Sequence, residues 1–294
     1  MNLMDQILQS AERLPPFPGV IQRALQLIED PQSSAQSLVE VLQFDPSITA
    51  QVLKLCNSAF SGLRRKISSL REALVLIGFD PLMEILLSEE SARFLKDPCK
   101  GYDLAQGDLW KHSVACALLS RIISERFNQD ATLLLFTAAL LHDIGKMILG
   151  QFVGNYFEQI RSVTVEKKVS FTEAEKEILG MDHAELGGKV AENWKFPKTI
   201  ILSIRYHHSP SQTPEEREAV ELISLCDVVA LMTGIGGGAD GLAYHSDVGW
   251  MKQHHLQEKD VERFMVKLGD QLERVEETLN MKRGGEGNSW LTMS

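Results

Sequence analysis

The chain has 294 residues, 44% hydrophobic and 24% charged, an ordinary balance for a soluble globular protein with ample core. Its formal net charge of −10 argues against general electrostatic binding to nucleic acid or to an acidic membrane. No uninterrupted apolar run reaches the ~18 residues of a membrane span, and the N-terminal stretch with Asp5, Gln6, Gln9 and Ser10 lacks the basic-then-apolar form of a signal peptide.

Nearly every segment reads as helix, and no stretch alternates at period two between turn residues, so little or no sheet is expected. Residues Leu3 to Leu14 are amphipathic and stop at Pro15-Pro16; Val20, Ile21, Leu25 and Ile28 recur at helical spacing. Asp45-Pro46 and Asp80-Pro81 each read as an N-cap carboxylate before a proline at the first helical position. Ser69 to Glu72 is a capping-box pattern, and Gly78 is placed to stop the helix that follows it. Arg64-Arg65-Lys66 is a local basic spot that reads as a solvated turn. A polar bridge, Lys96 to Gly101, divides a first helical lobe (1–100) from a second (101–283).

In the second lobe Trp110 to Phe127 reads as one long helix, and a nearly all-apolar helix from Leu133 carries His142 and Asp143. Thr172 to Glu175 and Thr213 to Glu216 fit capping boxes, the second with Pro214 at the first helical position. His183 opens a helix with Leu186, Val190 and Trp194; Ile200, Ile201 and Ile204 lead into His207-His208; Ala219 to Met232 is apolar around Asp227. Ile235 to Gly249 is glycine-rich, and its Gly236-x-Gly238-x-x-Gly241 follows a helix rather than a strand, which rules out a dinucleotide fingerprint. Val261, Met265, Leu268, Leu272, Val275 and Leu279 repeat at alternating four and three spacing, suited to packing on their own domain or to a dimer seam. The tail, 284–294, is polar and reads as disordered. Cys56, Cys99, Cys116 and Cys226 form no CxxC pair; Cys56, Cys116 and Cys226 lie in apolar helical pattern and read as buried thiols of a reducing cytoplasm.

An imidazole and a carboxylate side by side in an apolar helix need partners, because an unpaired buried carboxylate is costly. Asp227 has the same need, with Leu225, Cys226, Val228 and Val229 around it. Singly, each histidine could be a hydrogen-bonded core residue. Together, His112, His142, His183, His207 and His208 with Asp143 and Asp227 match the donors preferred by Fe, Mn, Zn or similar ions.

In order and context these residues, His142-Asp143 as HDIGK and His183 as HxxxG among them, resemble the HD superfamily of metal-dependent phosphohydrolases and its HD-GYP branch in particular. The earlier LPPFPGV and the DPSITAQVLKLCNSAFSG string from Asp45 to Gly62 are similar to the HDOD family, bacterial regulatory modules built on a degenerate HD fold. The resemblance spans roughly residues 14 to 235 and implies an all-α, two-lobed helical fold. It also implies a divalent-metal site of one or two ions, Fe or Mn with Zn or Ni as alternatives. His112, His142 and Asp227 would hold one ion and His183, His207 and His208 the second, with Asp143 bridging.

Asp108, one turn before His112, is either an acidic ligand or a helix cap. Lys146, the lysine of HDxGK, either faces a substrate phosphate or is solvated. Asp143 and Lys146 would be the catalytic pair of a metal-assisted phosphohydrolase. Ser209 to Pro214 stands where HD-GYP enzymes carry the segment that recognises cyclic di-GMP, and most HDOD proteins lack many of the ligands kept here. Two expectations follow: a cytoplasmic, monomeric or homodimeric signalling protein that binds partner proteins or a nucleotide, or an active phosphohydrolase on a phosphate ester or nucleotide. A purely structural protein would leave Asp143 and Asp227 unexplained.

Overall fold

Side-chain capping sets the starts of some helices, and tertiary burial shapes others. The structure, a computed structural model, describes residues 2–28, 37, 40–42, 46–59, 67–126, 133–236, 238–239 and 256–278. The Asp45 cap, the Arg64–Lys66 basic spot, the Cys56 side chain, Phe127, Gly241, Leu279 and the 284–294 tail lie outside the described residues.

The first lobe contains α1 (Leu3–Glu12), α2 (Gly19–Ile28), α3 (Pro46–Ala59), α4 (Leu70–Ile77) and α5 (Phe79–Leu95). Asn2 caps α1 reciprocally with Asp5, and Ser69 caps α4 by accepting from the Glu72 N–H. Gly78, at φ 91°, ends α4 and stands directly before α5, a backbone conformation that favours glycine. Asp80-Pro81 therefore falls inside the first turn of α5 and is not its cap, a correction to the sequence expectation.

The second lobe contains α6 (Asp108–Arg126), α7 (Leu133–Leu141), α8 (Lys146–Lys167), α9 (Phe171–Leu179), α10 (His183–Asn193), α11 (Lys198–Tyr206), α12 (Arg217–Met232) and α13 (Glu258–Thr278). Short 3₁₀ turns lie at Lys100–Tyr102 and Pro210–Gln212. Among the described residues there is no strand, only an isolated antiparallel bridge between Cys99 and Leu104. The fold is all-α.

Three local readings change. The capping box of α9 is Ser170 with Glu173, two residues before the Thr172–Glu175 pattern, and Glu175 turns inward. Thr213 does not cap α12: its hydroxyl donates to the Glu215 carbonyl at 2.6 Å, Glu216 is left-handed, and the helix begins at Arg217. His142 and Asp143 are not within a helix; α7 stops at Leu141 and they occupy the turn before α8.

The core runs through both lobes. Phe17 has ring-centroid distances of 5.8 Å to Phe94, 5.5 Å to Trp194 and 5.6 Å to Phe196. In α7, Phe136 to Leu141 are all buried; a helix apolar all round belongs in an interior. Val261, Phe264, Leu268 and Leu272 of α13 are buried, and α13 packs on α6, so the heptad-like stripe faces its own chain. Segment Leu133–Lys167 includes an 18-residue window of mean hydropathy 1.6, long and apolar enough for a membrane span by composition; 83% of that window is buried inside the protein, and the HDIGK turn interrupts its helix.

Candidate metal centre

Five parts of the second lobe converge on one buried point. His112 projects from α6, Asp227 from the middle of α12, His183 from the first turn of α10, and His207 and His208 from the end of α11. His142 and Asp143 enter from the turn between α7 and α8. Successive residues of a helix point about 100° apart, so leaving the helix at Leu141 lets both adjacent side chains face the same centre.

All seven sequence-predicted metal residues are brought together here. His112, His142, Asp143, His183, His207 and Asp227 are at most 3% exposed, and His208 is half-buried. Asp143 lies at the middle. Its Oδ2 is 3.4 Å from His142 Nε2 and 3.7 Å from His112 Nε2. Its Oδ1 is 3.3 Å from His183 Nε2 and 3.7 Å from His207 Nε2. Asp227 Oδ1 is 3.0 Å from His112 Nε2 and 3.7 Å from His142 Nε2. Two donor groups result, each with ligand atoms within 4.8 Å of one another: His112, Cys116, His142 and Asp227, then Asp143, His183, His207 and His208.

The imidazoles are oriented from behind. His142 Nδ1 faces the Ala139 carbonyl at 2.7 Å, His207 Nδ1 the Ile204 carbonyl at 2.7 Å and His112 Nδ1 the Ile235 carbonyl at 3.0 Å. His183 Nδ1 faces Glu175 Oε2 at 2.9 Å. Each of these acceptors fixes a proton on Nδ1 and turns the Nε2 lone pair inward, the arrangement found behind metal-ligating histidines. His142 Nε2, His207 Nε2 and Asp143 Oδ1 are buried with no hydrogen-bond partner. Buried polar atoms are ordinarily paired, so three unpartnered ones facing a common centre, in a set of imidazole and carboxylate donors, fit a divalent cation.

Without a cation, protons and a lysine balance the acids. Burial disfavours the Asp143 carboxylate, but Lys146, His142 and His183 hold it well below the usual range. Burial likewise opposes charge on Asp227, which His112 and His142 hold low. Burial works against a charged His112, yet Cys116 and Asp227 outweigh it and raise the ring to about 10. His183 is raised to about 10 against the effect of burial, chiefly by Glu175 and Asp143. Burial and then the His142 charge push His207 down to about 3.

Lys146 is not solvated. It is 5% exposed, its Nζ lies 2.6 Å from Asp143 Oδ2, and it sits 5.6 Å from the Tyr102 ring centroid. Asp108 stays outside both donor groups: its Oδ2 accepts from the Ala105 N–H at 2.8 Å, closing the turn at the start of α6. Sequence reasoning missed Glu175, fully buried, which accepts from His183 through both Nδ1 and the backbone N–H and from the Tyr102 hydroxyl. Its signal was a carboxylate on the same helix face as buried Phe171, Ala174 and Leu179.

A profile of the HDOD domain matches residues 14–210. An uncharacterised Treponema pallidum (strain Nichols) protein is 22% identical over 216 residues, 73% of this chain and 41% of its own; the chain thus spans less than half of that relative. Among solved structures, an HDOD domain protein of Geobacter sulfurreducens aligns with TM-score 0.66 at 24% identity over 96% of both chains. A candidate signal transduction protein of Marinobacter aquaeolei VT8 aligns with TM-score 0.72 at 23% identity, over 94% of this chain and 65% of its own. A candidate phosphohydrolase of Shewanella amazonensis SB2B aligns with TM-score 0.62 at 23% identity, over 93% of this chain and 96% of its own. These likenesses establish a shared fold.

Proposed function

This chain belongs to the HDOD family, and on that premise we propose that it is a regulatory protein whose buried centre holds one or two divalent cations. His112, His142 and Asp227 serve the first position, His183, His207 and His208 the second, and Asp143 stands between them. The observation that carries this reading is the orientation of His112, His142, His183 and His207: each Nδ1 is engaged from behind and each Nε2 lies within 3.7 Å of a central carboxylate. Nitrogen and oxygen donors of this kind suit Fe, Mn, Zn or Ni. When bound, such ions supply Lewis acidity and acidify water.

The regulatory reading is favoured over an enzymatic one by Lys146. Its ammonium group is buried against Asp143, where it holds and orients that carboxylate rather than reaching toward a substrate phosphate. The outputs would be partner proteins or a bound nucleotide. A phosphohydrolase acting on a phosphate ester or nucleotide is the second reading, supported by the full donor set and by half-buried His208 at the edge of the centre.

Elemental analysis of the purified chain tests the proposal. One or two ions per chain are expected, lost in Asp143→Ala with the helical circular dichroism intact. A chain that stays metal-free after reconstitution overturns it. Turnover of a phosphodiester or nucleotide by the loaded chain, abolished in Asp143→Ala, moves the conclusion to the second reading.

A further inference from the structure

We propose that Cys116 is a sulfur ligand of the first metal position, alongside His112, His142, Asp227 and the bridging Asp143. The inference rests on the metal reading above and concerns a residue that reading does not use.

His112 and Cys116 lie four residues apart on α6, so they share one face of the helix. Cys116 is fully buried, and its Sγ is 3.6 Å from His112 Nε2, the nitrogen that points into the centre.

The spacing of the donors can be compared with that of a tetrahedral ion. Bonds of about 2.0–2.1 Å to nitrogen, about 2.0–2.2 Å to oxygen and about 2.3 Å to sulfur give edges of roughly 3.4 Å between nitrogen and oxygen and roughly 3.6 Å between nitrogen and sulfur. The nitrogen–sulfur edge here is 3.6 Å. The two nitrogen–oxygen edges, from Asp227 Oδ1 to His112 and to His142, are 3.0 and 3.7 Å, and they straddle the ideal. These separations are short enough for His112, His142, Asp227 and Cys116 to share one ion.

Two consequences follow from the chemistry. A thiolate is a soft donor that favours Zn or Fe(II) and disfavours Mn or Mg, so the first position selects against Mn. Its donors, the shared Asp143 included, are all buried, whereas the second position includes half-buried His208. Exchange with solvent is therefore confined to the second position.

X-ray absorption at the zinc edge of the zinc-loaded chain tests this without a mutation. A sulfur shell at about 2.3 Å is expected; a shell of nitrogen and oxygen alone overturns the inference and leaves the metal reading standing. Cobalt loading identifies the sulfur: a thiolate-to-cobalt charge-transfer band should appear in the native chain and in Cys226→Ser and vanish in Cys116→Ser. A band that persists in Cys116→Ser overturns the assignment, and should that variant fail to fold, the zinc-edge spectrum decides alone. A chain that takes up neither ion overturns the metal reading and this inference with it.

Discussion

Glu175 accepts two hydrogen bonds from His183, at 2.9 Å from Nδ1 and at 3.1 Å from the backbone N–H. The carboxylate thereby sets both the ring and the first turn of α10 that carries it. Removing one such outer partner typically weakens metal affinity about 10–100-fold. Glu175→Gln is expected to show a loss of that size in competition with a chromophoric chelator, with the helical circular dichroism retained. Unchanged affinity would mean that His183 is oriented by something else.

Lys146 and Asp143 make a buried ion pair at 2.6 Å. Removing one member of such a pair costs about 3–5 kcal/mol because the other charge is stranded. A bound cation would neutralise Asp143 by itself, so the cost should depend on loading. Lys146→Met is expected to lower the melting temperature strongly in chelator and only slightly in the metal-loaded protein. An equal loss in both states would count against a cation beside Asp143.

Protonation should oppose metal uptake. His112 and His183 are raised from 6.5 to about 10 in the folded, metal-free chain, so near neutral pH an incoming ion must displace their protons, and apparent affinity falls as pH falls. The same shifts bear on stability. A folded value above the unfolded one contributes stability that is complete below about pH 6.5 and lost as pH rises through about 10. The metal-free protein should thus lose melting temperature on going from pH 6.5 to 10, and the loaded protein should lose much less. Calorimetry in buffers of different ionisation enthalpy would detect the released protons; a binding heat independent of buffer would contradict the scheme.

Gly145 stands against the carbonyl oxygen of His183, and a Cβ there would lie 1.9 Å from it. That neighbour is backbone and cannot rotate away. Gly145→Ala is expected to push the HDIGK turn from α10, weakening metal binding and stability together, as read by elemental analysis and thermal melts. Native-like values for both would show that the turn can relax.

The long elements and the residues that meet at the buried centre were legible in the sequence, for different reasons. The apolar faces of α6 and α12 and the buried charges of Asp143 and Asp227 are local features. Positions fixed by tertiary contact were harder to read. Both Ser170-x-x-Glu173 and Thr172-x-x-Glu175 fit a capping box, and only the burial of Glu175 against Tyr102 and His183 decides between them. The end of α7 at Leu141 was hidden because an all-apolar run carries no stop signal, and Gly145 is required by a residue 38 positions away in the chain (183 minus 145). Cys116 looked like core because its relation to His112 gains meaning only once Asp227 and His142 arrive beside it.

α10 has one further property. It starts at His183 in the centre and runs to Asn193, a rod of eleven residues and about 16 Å. Trp194, directly after it, meets Phe17 and Phe94, and the next carbonyl, of Lys195, accepts from Gln26 of α2 at 3.1 Å. Severing the polypeptide near residue 100 would therefore strip Trp194 and Phe196 of Phe17 and Phe94 at one tip of the rod whose other tip carries His183. The halves are best handled as one indivisible piece: a fragment holding every histidine of the cage would still lack the wall against which the cage is braced.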